Sequence, residues 1–177
     1  MEPVEPVEPV EPVARDEFSP CPLVPLSPCP LFPPMHHASI RTADIHRAIA
    51  FYEHLGFTVS ERFTTGYTLA CWMEGLNGRI ELIQIPQPRP AADAFEDEHY
   101  VGYYHLSFDL TNITDDLPNW LTSLKERVAQ NNQPQYQPLK VLLEPMQQQI
   151  GESIYEVAFI ADADGLPLEF IRLMNGE

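Results

Sequence analysis

Residues 37–52 and 105–120 carry matching residue types at an offset of 68. His37 falls on His105, Ser39 on Ser107, Ile40 on Phe108, Ile45 on Ile113, Ile49 on Leu117 and Tyr52 on Trp120. At an offset of 88, "ELIQI" (81–85) falls on "EFIRL" (169–173). A self-match of this kind constrains the fold more than any single motif, because each half must build the same supersecondary unit.

Local patterning supplies that unit. "HHASIRT" (36–42) alternates as a strand does, and "ADIHRAIAFYEHLGF" (43–57) spaces Ile45, Ile49, Tyr52 and Leu55 as a helix closed by Gly56. Strands are predicted at 57–63, 66–74 and 78–85, with Asn77-Gly78 as the tight turn between the last two. The second half repeats the order. A strand at 103–110 precedes a helix at 112–130 that carries Ile113, Leu117, Leu121 and Leu124, with Asp115 or Asp116 near its start. Strands at 139–146, 153–162 and 166–173 follow, the last entered through Asp164-Gly165. The change of offset places insertions at 130–138 and in a loop near 146–152. The fold class is α+β: two β-α-β-β-β modules, about 35–90 and 100–174, that form a curved mixed sheet.

Residues 1–34 stand apart. They hold 11 of the 19 prolines, including four tandem Glu-Pro-Val units, which favour an extended conformation without internal hydrogen bonds. We read them as a disordered Pro-rich extension ahead of a domain at 35–177, with Met35 as an alternative start. No basic segment precedes an apolar stretch as in a signal peptide, and no apolar run approaches the roughly 20 residues needed to span a bilayer. The domain carries 20 acidic against nine basic residues. An acidic chain without a basic stripe argues against nucleic acid and anionic membranes as partners. Cys71 is the single cysteine after residue 34, so no disulfide framework or thiolate cluster is available, and a cytoplasmic location is the expectation.

Duplication explains the apolar matches without chemistry, but not why the matched positions include His37, Glu81, His105 and Glu169. A glutamate between Ile80 and Leu82, or between Leu168 and Phe170, is costly in a covered strand unless something pairs it. Alternation sets Glu81 with Ile83 and Ile85, on the concave or core side. Taken singly, each of the four is ordinary. As a symmetry-related set they suit a divalent cation, leaving two positions of an octahedral sphere for water or substrate. His36 points to the opposite face and is not a ligand; His46, His54 and His99 are read as exposed.

The segments "HHASIRTADIHRAIAFYEHLGF" (36–57), "YYHLSFDL" (103–110) and "DADGLPLEFIRL" (162–173) resemble the glyoxalase/bleomycin-resistance, or vicinal oxygen chelate, superfamily over essentially all of 35–174. Within it the chain is most similar to glyoxalase I, whose metal set is His, Glu, His, Glu. That resemblance implies metal ligands His37, Glu81, His105 and Glu169, with Glu169 as the catalytic base and Glu81 its opposite partner. It implies Arg41 as a contact for the glutathione carboxylate, and a homodimer whose sites take His37 and Glu81 from one chain and His105 and Glu169 from the other. The implied reaction converts the hemithioacetal of methylglyoxal and glutathione to lactoylglutathione by metal-assisted proton transfer. The ligand types admit Ni, Zn, Co, Mn or Fe.

Two features depart from glyoxalase I. Ile85 stands where an asparagine contacts glutathione, and "MQQQIGES" (146–153) replaces a basic, glycine-rich loop. The alternatives are a related isomerase, epimerase or dioxygenase acting on a small non-glutathione substrate, or a non-catalytic small-ligand-binding protein. A chain shortened to begin at Met35 should keep its activity and melting temperature, because a segment of this composition buries little apolar area; calorimetry of the two lengths is the check.

Overall fold

The computed structural model describes residues 35–130 and 138–174. The expected disordered extension at 1–34 and the core of the insertion at 131–137 lie outside these residues. Ten elements follow in order: β1 (Ala38–Thr42), α1 (Ile45–His54), β2 (Thr58–Thr65), β3 (Thr68–Gly75), β4 (Gly78–Gln84), β5 (Leu106–Asp109), α2 (Leu117–Gln130), β6 (Val141–Ile150), β7 (Ser153–Ala161) and β8 (Pro167–Leu173). Each half is β-α-β-β-β and forms one four-stranded mixed sheet, in the orders β1-β4-β3-β2 and β5-β8-β7-β6. In both, the first strand runs parallel to the last, and the remaining pairings are antiparallel.

The helices form where their caps dictate. Asp44 adopts an extended conformation, and its carboxylate accepts from the backbone N–H groups of His46 and Arg47, closing two of the free donors at the start of α1. Gly56 takes φ +94 just past Leu55, the left-handed position that ends the helix. The second helix starts later than its periodicity predicts. Thr111–Asp116 turn irregularly, Asp116 accepts from Asn119 N at 2.8 Å, and Ile113 lies 51% exposed outside the helix. Pro118 sits in the first turn, where its missing donor has no intrahelical partner in any case.

Other boundaries also shift. The β3–β4 hairpin turns on Leu76 and Asn77, both at positive φ, and Gly78 already pairs with Gly75. The predicted loop at 146–152 is mostly strand: β6 continues to Ile150 and folds back on β7 through Gly151, at φ +62. Pro145 is tolerated because β6 is an edge strand and its register slips between Leu143 and Met146.

One core joins the modules. The inner faces of both helices (Ile45, Ile49 and Tyr52; Leu117, Leu121 and Leu124) pack with Leu82, Met73, Leu168 and Phe170. A polar clasp reinforces the join at the β7–β8 turn. Asp162, 7% exposed, accepts from Tyr52 Oη at 3.0 Å and from the backbone N–H groups of Asp164 and Leu166. Asp164 accepts from Thr42 Oγ1, Ala43 N and Arg47 Nη2. Burial raises the Asp162 carboxyl above its ordinary 3.8, and burial beside that carboxylate raises the Tyr52 phenol.

A carboxyl raised on folding binds its proton more tightly in the native state, so its contribution to stability falls as pH rises from 3.8 and levels off above the folded value. The stability difference between wild type and Asp162→Asn, from urea unfolding across pH, should follow that course. Asp162→Ala, which leaves Tyr52 Oη and two backbone donors unpaired, should cost about 3 kcal/mol or more.

Candidate functional site

The register of the parallel strand pairs builds the site. In β1–β4, Ser39 lies opposite Glu81; in β5–β8, Ser107 lies opposite Glu169. Across the antiparallel neighbour, Trp72 faces Glu81 and Phe159 faces Glu169. His37 and His105 each stand two residues before the serine, so their rings reach the same carboxylate. Ile80 and Leu82 are buried, as are Leu168 and Phe170, and the glutamates between them project from the opposite face. Of the two faces expected, concave or core, this excludes the core: Glu81 shares the sheet surface away from the helices, with Ile83.

The four predicted ligands come together as two pairs. His37 Nε2 lies 3.4 Å from Glu81 Oε2, and His105 Nε2 lies 3.4 Å from Glu169 Oε2. Among the described residues, no group of three or more His, Cys, Asp or Glu side chains converges within the chain. The separation exceeds the usual 2.7–3.2 Å range of an N–H···O bond. It is close to the roughly 3.0–3.4 Å between neighbouring ligands of one cation with bonds near 2.1 Å.

The pairs differ in what holds them. Glu81 Oε2 accepts from Ser39 Oγ at 2.6 Å, and Glu81 Oε1 accepts from Trp72 Nε1 at 3.3 Å. His36, expected on the opposite face, packs instead against Trp72 and reaches His37 Nδ1 with its own Nδ1 at 2.7 Å. Its Nε2 meets Arg79 Nη1 at 2.8 Å, and Arg79 is paired with Glu74 at 2.6 Å. A guanidinium only donates. With both rings neutral, His36 therefore donates from Nδ1, and His37 keeps its proton on Nε2, toward Glu81.

In the second module Phe159 cannot donate, and Ser107 makes no bond to Glu169. His105 is the side chain that pairs with that carboxylate among the described residues. The His105 ring is held by Tyr104 and Phe159, at centroid distances of 4.6 and 5.1 Å, and its buried Nδ1 has no partner. Sequence reasoning missed Ser39, Trp72 and His36 as supports. The repeat matches Ser39 with Ser107, and the register sets both opposite their glutamates, but only the side-chain geometry shows that Ser39 alone of the two bonds.

A cleft of about 1260 Å3 runs between the modules. Ser39 and Tyr104 lie in its wall and link it to Glu81 and to His105 respectively. Arg41 and Ile85 line it as well. Burial, followed by the nearby Asp162 charge, pushes the Tyr103 phenol in its wall up to about 12. Of the remaining histidines, His46 and His99 are exposed as expected, whereas His54 is half-buried and burial lowers its pKa. Cys71 is fully buried, and burial raises its thiol, the environment of an inert cysteine.

Two β-α-β-β-β modules, each bearing a His–Glu pair where its first and last strands run parallel, define a duplicated α+β class. The chain belongs to the Glyoxalase/Bleomycin resistance protein/Dioxygenase superfamily, whose family model matches residues 35–170. No curated protein matches the chain. Solved structures share the fold at low identity. A glyoxalase family protein from Enterococcus faecalis superposes with a TM-score of 0.59 at 18% identity, covering 80% of this chain and 98% of the other. One from Bacillus cereus gives 0.55 at 18%, covering 80% and 94%. The trypanothione-dependent glyoxalase I of Leishmania major gives 0.53 at 19%, covering 80% and 87%. No helix among the described residues is long and apolar enough to cross a membrane.

Proposed function

We propose that this protein is a cytoplasmic, metal-dependent lyase of the glyoxalase I kind. It acts in methylglyoxal detoxification, moving a proton between adjacent carbons of the methylglyoxal–glutathione hemithioacetal to yield lactoylglutathione. The observation that carries the reading is the pair of half-sites: two His–Glu pairs with the same 3.4 Å separation, related by the internal repeat. Each supplies half of a four-ligand set, and a homodimer completes two such sets. His37 and Glu81 of one copy would hold a divalent cation together with His105 and Glu169 of a second copy.

The donor set fits such an ion. Two imidazoles and two carboxylates are the chemistry intermediate divalent metals prefer, and the ligand spacing is that of atoms around one centre. The His37 proton on Nε2 has to leave on loading, as ligand deprotonation requires. When bound, the cation supplies Lewis-acid stabilisation of the negative charge that develops on the substrate's neighbouring oxygens.

The protein's own groups divide the remaining work. Ser39 and Trp72 each donate to Glu81, so it serves as a fixed ligand. Glu169 receives no such bond, Ser107 opposite it being unbonded to it, and is the carboxylate free to change partners. It removes the proton at C1 and returns it at C2. Arg41 and the cleft position the rest of the substrate.

A second reading, a related metalloenzyme on a substrate without glutathione, is favoured by Ile85 in the cleft wall and by a β6–β7 hairpin with no basic residue between Met146 and Ser153. A turnover assay with methylglyoxal, with and without glutathione and added divalent ions, separates the readings. Rate without thiol, or none with it, rejects the first.

The chelated and reloaded full chain should bind about one divalent ion per two modules, and His105→Ala should lose it; full occupancy in that variant contradicts the assignment. Ser39→Ala combined with Trp72→Phe should weaken ion affinity by roughly 10–100-fold, as loss of outer hydrogen bonds to a ligand does. Mixing inactive Glu81→Ala and Glu169→Ala proteins should restore up to about a quarter of wild-type activity, because each mixed dimer leaves one site whole. Sites contained in single chains would restore none.

A further inference from the structure

The cleft has a charge pattern unlike the rest of the domain. Four of the nine basic residues after position 34 line it: Arg41 on β1, Arg47 on α1, Arg89 in the connection between modules and Lys140 before β6. Its two carboxylates are already engaged. Asp162 is buried under three donors, and Asp164 holds Arg47 at 2.6 Å along with Thr42 and Ala43 N. Arg41, Arg89 and Lys140 form no ion pair among the described residues, and the buried Arg47 Nε lacks a partner. With Arg47 offset by Asp164, and the Asp162 charge set against the other three, the cations still outnumber the carboxylates of the wall four to two; in so acidic a domain this excess focuses a positive field there and draws in anions.

Much of the rest of the wall is apolar, including Ile85, Phe51, Leu106 and a run of prolines and alanines between Ile85 and Ala94, with Ser39, His54 and three tyrosines as its neutral polar groups. Recognition of negative charge therefore falls to the cations, a few polar groups in a largely apolar pocket being the usual composition of a small-molecule site. Lys140 is held in place through its carbonyl, which accepts from Ala161 N at 2.8 Å, and Arg41 through the β1–β4 register opposite Ile83.

We propose that this cleft binds a small organic acid with two or more negative charges on an apolar body, and that Arg89 and Lys140 select it. This deepens the metalloenzyme reading, on which it rests for its purpose: Ser39 and Tyr104 carry the cleft wall to the two half-sites, so the bound acid is the substrate's anchoring portion. Its charge matches glutathione's two carboxylates, and the apolar stretch of the wall also admits a non-peptide skeleton.

Isothermal titration of the full chain, stripped of metal with a chelator, tests the binding directly. The probes are phthalate, which sets two carboxylates on a ring, phenyl phosphate, and the uncharged phthalamide. Phthalate or phenyl phosphate should bind and phthalamide should not, and the tighter anion identifies carboxylate or phosphate ester as the natural group. Added salt should weaken binding. Arg89→Gln with Lys140→Gln should weaken it by roughly tenfold or more, whereas Arg89→Lys with Lys140→Arg should retain it. Equal binding of phthalamide, no binding of either anion, or unchanged affinity in the Gln variant would overturn the proposal. Because the protein is metal-free, such a failure is separate from loss of divalent-ion binding in the loaded chain, which tests the metal reading alone.

Discussion

The parallel pairing of the first and last strands of each module is the constraint on which the site depends. Strand neighbours in register bring side chains from distant sequence positions within about 5 Å of one another on one face. Ser39 therefore sits against Glu81, 42 residues away, and the histidine two positions earlier reaches the same carboxylate. Slipping the register by one residue would send Glu81 into the core and Leu82 onto the polar face. Burial of Ile80 and Leu82 against the helices excludes that slip, so the hydrophobic core and the His–Glu geometry are two results of one pairing.

The sequence carried the module order and the four matched polar residues because both depend on local periodicity and on duplication. It misled where tertiary context outweighed periodicity. Ile113 follows the helical spacing of Leu117 and Leu121, yet Thr114 and Asp116 bond to their own backbone and delay the helix. The glutamine-rich segment after Met146 looks like a loop, yet pairing with β7 keeps it extended. His36 was set on the wrong side because strand alternation fails before Ala38, where the strand has not yet begun. The cleft could not be read at all, since Arg41, Arg89 and Lys140 share no spacing and meet only when the modules pack.

Duplication also left room for divergence at equivalent places. Trp72 and Phe159 occupy the same position relative to their glutamates, but one ring carries a donor and the other does not. Two carboxylates with the same ancestry thus have unequal freedom. That difference arises without any change in backbone pairing, and on the proposed function it gives the two carboxylates different roles.

β1 and β5 are border strands, each with one side of its backbone unpaired. Each His–Glu pair straddles a border strand and its inner neighbour: the histidine directly precedes β1 or β5, and the glutamate stands on β4 or β8. On the proposed function, surface that would otherwise need protection from unwanted pairing adjoins the surface that carries the chemistry. A module of this design would then change its reaction by changing what lies beside its border strand, while the four strands and the helix behind it stay as they are.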